Sequence, residues 1–307
     1  MQRVIKPRYL IIGASGFVGS SLYSRLGCNA AIATYCKNPI RGGIYFDARS
    51  MRLRDTFLRG NHGLTHAFLL CGITKIDACA RDPEGTARVN VQSMKEMIDD
   101  LLTEGVTPIF ASSDAVFDGT RGLWREEDLP NPILTYGRQK VEVESYLMRV
   151  KPAWAIARLS KVVGSAEDVL VGSWIKNLEH GETVFCAHDQ IFSPACVDDV
   201  VTAIIRLAEE NCTGLFNICG PRPLSRLELL NILVREIQQY VPLNPNIVPC
   251  SLKDLPFLET RPMNTSLIGE KLYSSIGMRF QDMETVCKKI VKERYRNTRG
   301  CEGVTVS

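Results

Sequence analysis

Gly13-Ala14-Ser15-Gly16-Phe17-Val18-Gly19 stands between a short apolar run, Tyr9-Leu10-Ile11-Ile12, and a stretch to Leu26 whose apolar residues Phe17, Val18, Leu22 and Leu26 form a helical stripe. Three glycines at this spacing have a physical reason. One permits a tight turn, one lets backbone approach a pyrophosphate, and one lets helix and strand pack closely. Free N–H groups at the helix start then face phosphate oxygens. A glycine triplet alone also suits a plain structural turn. After the first strand of a strand–helix repeat it reads as a dinucleotide site, with Gly13, Ser15, Gly16, Phe17, Val18 and Gly19 around the phosphates.

Outward from the turn the repeat continues. Ala31–Tyr35, Gly43–Phe46, His66–Leu70, Thr107–Ala111 and Trp154–Arg158 read as strands, with helical patterns over 53–58, 83–102, 136–148, 198–208 and 226–240. Such alternation predicts an α/β fold: a Rossmann-type, doubly wound parallel sheet with helices on both faces. Residues 1–165 are expected to form the cofactor-binding unit, with segments around 183–210 returning to it. Residues 166–307 are expected to form mainly a smaller C-terminal substrate-binding lobe.

Composition excludes other classes. The chain has 307 residues, 45% hydrophobic and 23% charged, which argues against disorder. No apolar run approaches the roughly 18 residues a membrane helix needs. The run before Gly13 is too short for a signal-peptide core of roughly 7–15 apolar residues. A net charge of +3 gives no reason to expect nucleic acid. The eleven cysteines include no Cys-x-x-Cys and no histidine at zinc-ligand spacing. Free thiols in a reducing cytoplasm, and no metal, are therefore expected. His62, His66, His180 and His188 are dispersed and read as surface or core residues. The basic run from Lys288 to Arg299 reads as a solvated helix face.

The second strand ends Tyr35-Cys36-Lys37-Asn38, without the carboxylate that would hold the ribose hydroxyls of NAD. Lys37 suits a 2′-phosphate instead, so NADP(H) is preferred and NAD(H) remains open. Asp47, followed by Ala48, lies where an acid could accept from the adenine amine. Tyr136-Gly137-Arg138-Gln139-Lys140 opens a helical stretch, so the phenol and the ammonium share a face. Lys140 is expected to lower the phenol's pKa from about 10. Ser113, just after the fifth strand, could orient a carbonyl while Tyr136 delivers a proton.

These residues together resemble an extended short-chain dehydrogenase/reductase, and more narrowly the dTDP-4-dehydrorhamnose reductase (RmlD-like) branch. Ser112-Ser113-Asp114-Ala115-Val116-Phe117-Asp118-Gly119 is similar to the branch's Ser-Thr-Asp-Tyr-Val-Phe-x-Gly. Trp124 to Asp128, Pro132, Arg158-Leu159-Ser160 and Arg261-Pro262-Met263-Asn264-Thr265-Ser266-Leu267 follow its pattern. The resemblance implies Asn90 as a helix asparagine supporting a proton relay, and Cys71 and Gly72 beside the cofactor. It also implies substrate contacts from Thr74, Asp114, Val116, Arg261, Asn264 and Thr265, with Asp77 surviving from the same loop as Thr74. His188-Asp189-Gln190 lies where the branch has a substrate-lining loop. Departures are Ala115 for the branch's tyrosine, Lys161 for its tryptophan, and Leu69-Leu70-Cys71-Gly72 for its Asn-Ala-Ala-Ala.

The function implied is an NADP-dependent reductase of a nucleotide-activated keto-deoxysugar, suited to surface polysaccharide or antibiotic sugar synthesis. A nucleotide-sugar is the expected partner, with a homodimer left open and neither nucleic acid nor membrane expected. A sugar-nucleotide epimerase is the enzymatic alternative. A dehydratase is disfavoured because Asp114 is followed by Ala115, so half its acid–base pair is missing. The branch also resembles the regulatory beta subunit of methionine adenosyltransferase, which leaves a non-catalytic, NADP-binding role open.

Overall fold

The computed structural model describes residues 8–59, 63–150, 153–164 and 169–299. His62, Cys301 and the 165/166 boundary fall outside them.

Seven strands make the central sheet: β1 (Tyr9–Ile12), β2 (Ala31–Tyr35), β3 (Ile44–Tyr45), β4 (His66–Leu69), β5 (Thr107–Ser113), β6 (Ala155–Leu159) and β7 (Gly214–Ile218). Their order is β3-β2-β1-β4-β5-β6-β7, and every neighbouring pair is parallel. The order reverses between β1 and β4, which opens a crevice at the carboxyl ends of these strands. Six helices frame the site: α1 (Phe17–Leu26), α2 (Met94–Thr103), α3 (Thr135–Leu147), α4 (Val197–Glu209), α5 (Arg226–Ile237) and α6 (Met283–Arg299).

Alternate residues of each strand serve opposite faces. Leu10, Ile12, Leu69, Phe110 and Ile156 pack with Met97, Ile98 and Leu101 of α2 and Val143 and Leu147 of α3. Tyr9, Ile11, Phe68, Ile109 and Ala157 pack on the other face with Leu22 of α1 and Val200, Val201 and Ile204 of α4. Burial on both faces explains why the strands read as unbroken apolar runs. A separate core, with Trp174, Ile175, Phe192, Leu229, Leu233, Ile290 and Val291, builds the C-terminal lobe.

Of the expected returning segment 183–210, the part Val197–Glu209 lies on the sheet and the part Val184–Ala187 does not. Val184–Ala187 pairs with Ile247–Cys250 inside the lobe, while α4, β7 and the helix Glu270–Ile276 pack against the sheet. The strand β7 escapes pattern reading because Asn217 interrupts it. Asn217 is fully buried, and its amide donates to the Trp124 and Ile268 carbonyls. The helical stretch over 83–102 divides into Pro83–Ala87, a π-helical segment Arg88–Ser93, and α2.

Among the described residues no helix is long and apolar enough to cross a membrane, and no three His, Cys, Asp or Glu side chains form a metal-binding group. Their cysteines are free thiols. The basic face of α6 carries ion pairs from Lys289 to Asp198 and from Arg294 to Glu179.

Candidate active site

Two cavities meet where the sheet's carboxyl edge faces the lobe. The first, about 260 Å³, is lined by Gly16 to Gly19, Cys71, Gly72, Lys140 and Tyr136 among others. The second, about 380 Å³, lies between the sheet and the lobe and is lined by Ser113, Asp114, Tyr136, Gln190, Arg226 and Arg261 among others. Thr74, Ser112, Tyr136 and Leu159 border both.

The glycine turn shapes the first cavity. Gly13 has φ +96°, and a Cβ there would lie 2.7 Å from the Cys71 nitrogen. At Gly19 a Cβ would lie 2.2 Å from the Gly13 carbonyl oxygen. No side chain caps α1 at Gly16, so the N–H groups of its first turn stay open to phosphate oxygens. These features fit a dinucleotide. Gly13 and Ser15 build the turn without lining the cavity. Lys37 is exposed at the end of β2. The Asp47 carboxylate forms a bidentate pair with Arg49 at 2.7–3.2 Å, which holds its pKa below the usual carboxylate value. Lys37, Asp47 and Ala48 therefore stand outside this cavity, toward β2 and β3.

Tyr136 and Lys140 project from the first turns of α3. Gly137 between them lets the helix approach the 114–116 turn, since a Cβ there would lie 2.1 Å from the Ala115 oxygen. The Lys140 Nζ donates to the Ala111 carbonyl at 2.7 Å and lies 5.6 Å from the Tyr136 ring centroid. Burial pushes the Lys140 ammonium down to about 8. The expected lowering of the Tyr136 pKa by Lys140 is not what the site produces. Burial, followed by the charge of Asp114, pushes the phenol above its usual value, with the Ser113 hydroxyl working the other way. The phenol is thus held protonated at neutral pH.

Asp114 accepts from Ser113 Oγ at 3.0 Å and from Thr265 Oγ1 at 2.9 Å, and burial raises its pKa. Ser113 also accepts from the Ala115 nitrogen at 3.2 Å, so its hydroxyl must turn from Asp114 to reach a ligand carbonyl. Asn90 lies behind the loop after β4 instead of in the cavity. Its carboxamide accepts from the Ile73 nitrogen at 2.7 Å and donates to Gln139 Oε1 at 2.7 Å, tying that loop to α3. Arg261 pairs with Asp77, closing the loop after β4 onto the segment from the C-terminal region.

Two expected substrate residues do not line the cleft. Val116 is fully buried beside the stacked rings of Phe117 and Trp124. The Asn264 carboxamide accepts from Ser266 Oγ at 2.7 Å, and its main-chain carbonyl accepts from Trp124 Nε1 at 3.1 Å. From the 188–190 loop, Gln190 reaches the cleft, whereas the Asp189 carboxylate accepts from Ser251 Oγ and the Leu252 nitrogen, each at 2.7 Å. Sequence reading missed Ser112 and Arg226. Ser112 donates to buried Glu144 at 2.5 Å, and Glu144 pairs with Arg158 at 2.7 Å. The only signal for Arg226 was its place after a Gly-Pro turn, at the start of a helix.

The family model for the RmlD substrate binding domain matches residues 7–296. The chain belongs to that family. A dTDP-4-dehydrorhamnose reductase of Aggregatibacter actinomycetemcomitans is 24% identical over 292 residues, covering 92% of this chain and 98% of that protein. Methionine adenosyltransferase 2 subunit beta of Bos taurus is 26% identical over 326 residues, covering 95% and 90%. The crystal structure of dTDP-4-dehydrorhamnose reductase from Bacillus anthracis in complex with NADP superposes with TM-score 0.79 at 20% identity, covering 94% of this chain and 99% of that one. At that identity the superposition speaks for the fold. This RmlD-family chain keeps the two cavities joined at a tyrosine.

Proposed function

We propose that this RmlD-family chain is an NAD(P)-dependent oxidoreductase, preferring NADP(H), that reduces the ring carbonyl of a nucleotide-activated keto-deoxysugar. The observation that carries the reading is Tyr136, which borders both cavities with Lys140 on one side and Ser113 on the other. The reductase relative and the NADP held by the Bacillus anthracis neighbour support it.

The backbone of Gly16 to Gly19 would hold the pyrophosphate, Lys37 the 2′-phosphate and Lys140 the ribose. Asp47 would accept from the adenine amine, which requires its carboxylate to share Arg49. When bound, the dinucleotide supplies a hydride. Ser113 turns to donate to the substrate carbonyl, and Tyr136 transfers its proton to the oxygen as that oxygen gains charge. The raised phenol pKa keeps this proton in place until an alkoxide, a much stronger base than phenolate, draws it away. Asp114 orients Ser113 and Thr265 from the far side.

A second reading, a non-catalytic NADP-binding subunit, is favoured by the match to methionine adenosyltransferase 2 subunit beta across 95% of this chain. Epimerisation has weaker support, since Lys37 suits a phosphate-bearing cofactor. Incubation with NADPH and a panel of 4-keto sugar nucleotides separates the readings. Substrate-dependent loss of the NADPH absorbance is expected. Measurable NADPH binding without oxidation by any of the panel would favour the subunit role.

A further inference from the structure

The lobe side of the cleft carries a cation that the proposed chemistry does not use. Arg226 is the first residue of α5, fixed there by Ser225, whose hydroxyl accepts from the Glu228 nitrogen at 3.1 Å in a capping box. The guanidinium lies 5.6 Å from the ring centroid of buried Trp174. Its Nη1 donates to Gln190 Oε1 at 3.3 Å, while Nε is buried with no hydrogen-bond partner. The other titratable groups facing it are two thiols, Cys186, which burial pushes up to about 11, and Cys250, which burial also raises, so both stay neutral. Among the described residues no carboxylate pairs with Arg226. A half-buried guanidinium whose Nε is closed off from water without a partner is costly unless an anion joins it.

The rest of the cleft leans the same way. Arg261, with a side chain only 9% exposed, is neutralised by Asp77, yet its Nη1 is also buried without a partner. Lys161 adds a third cation to the lining. The carboxylate lining the cleft, Asp114, already accepts from Ser113 and Thr265. Lys161 acts on Asp114, whereas Arg226 sits on the lobe, away from the proton donor on α3. Guanidinium groups bind phosphate oxygens through charge-assisted, often bidentate hydrogen bonds.

We propose that Arg226 is the anchor for the diphosphate of the nucleotide-activated substrate, seating the charged end of the ligand on the lobe and its carbonyl end at Tyr136. This deepens the reductase reading, on which it rests for the orientation of the ligand. Trp174 and Gln190 act as positioning residues, holding the guanidinium ready before the ligand arrives.

Calorimetric titration of the NADPH-loaded protein with thymidine diphosphate, uridine diphosphate, inorganic pyrophosphate and unphosphorylated thymidine tests this. Wild type is expected to bind the diphosphates. Arg226→Met is expected to weaken them on the order of 10- to 100-fold, leave NADPH binding unchanged, and melt near the wild-type temperature, because the Nε it removes makes no hydrogen bond. Arg226→Lys should recover part of the loss. With a keto sugar nucleotide, Arg226→Met should raise KM more than it lowers kcat. Unchanged diphosphate affinity in Arg226→Met, or no diphosphate binding by wild type, overturns the proposal. If Arg226→Met does not fold, Arg226→Gln carries the same readout. Arg226-dependent diphosphate binding without turnover would sink the reductase reading and leave the anchor standing. Turnover with an unchanged KM in the variant would do the reverse.

Discussion

Tyr136 in the proposed reaction works as a loaded acid, because burial and Asp114 hold its proton in place. Tyr136→Phe is expected to lower turnover by about 10²–10⁴-fold, with NADPH affinity nearly unchanged in a fluorescence titration. Retained turnover would contradict its role. Lys140 sets the alkaline limit. Its pKa is depressed to about 8, so it is charged below that pH and neutral above it. The rate kcat/KM is therefore expected to fall as pH rises through about 8, and Lys140→Arg should move that limb to higher pH. Stability has the opposite sign. Between about 8 and the ordinary lysine value the unfolded chain binds the extra proton, so this group's contribution to stability rises with pH. At this scale the tyrosine, lysine and serine were legible, because i and i+4 on a helix share a face. Val116 and Asn264 were not, because Trp124, folded against both, buries the one and holds the main-chain carbonyl of the other from 140 residues away.

The elements explain why these side chains meet. The turn after β1 works only because Gly13 and Gly19 allow backbone to press on backbone. Gly19→Ala, with its Cβ 2.2 Å from the Gly13 oxygen, is expected to cost about 1–3 kcal/mol, read as a lower urea midpoint, and to weaken NADPH. Beneath α3 the buried pair of Glu144 and Arg158, joined by Ser112, ties the catalytic helix to the carboxyl ends of β5 and β6. Glu144→Gln leaves Arg158 uncompensated and is expected to cost about 3–5 kcal/mol in chemical denaturation. Unaltered stability would show that the pair matters little. Strands β1, β2, β4, β5 and β6 were readable because burial on both faces makes them apolar throughout. The strand β7 was not, because its buried Asn217 holds loops from elsewhere in the chain. The π-helical turn at Asn90 was equally invisible, since its ladder shift answers to Ile73 and Gln139.

At the scale of the whole molecule, the sheet supplies the cofactor turn and the proton donor, and the lobe supplies the far wall of the cleft. The glycine turn and the tyrosine helix announce the first half in sequence. The lobe's share is spread over Gln190, Arg226 and Arg261, three segments brought together only by folding, so the ligand side was far less legible. The central claim is that a hydride and a proton meet at the junction of the two cavities. Incubation of wild type with NADPH deuterated at the transferable position and a dTDP-4-keto-deoxysugar tests it directly, with product analysed by mass spectrometry. One deuterium on the reduced ring carbon is expected with wild type, and about 10²–10⁴-fold slower formation of the same labelled product with Tyr136→Phe. Product lacking deuterium, or unreacted sugar alongside bound NADPH, would contradict it.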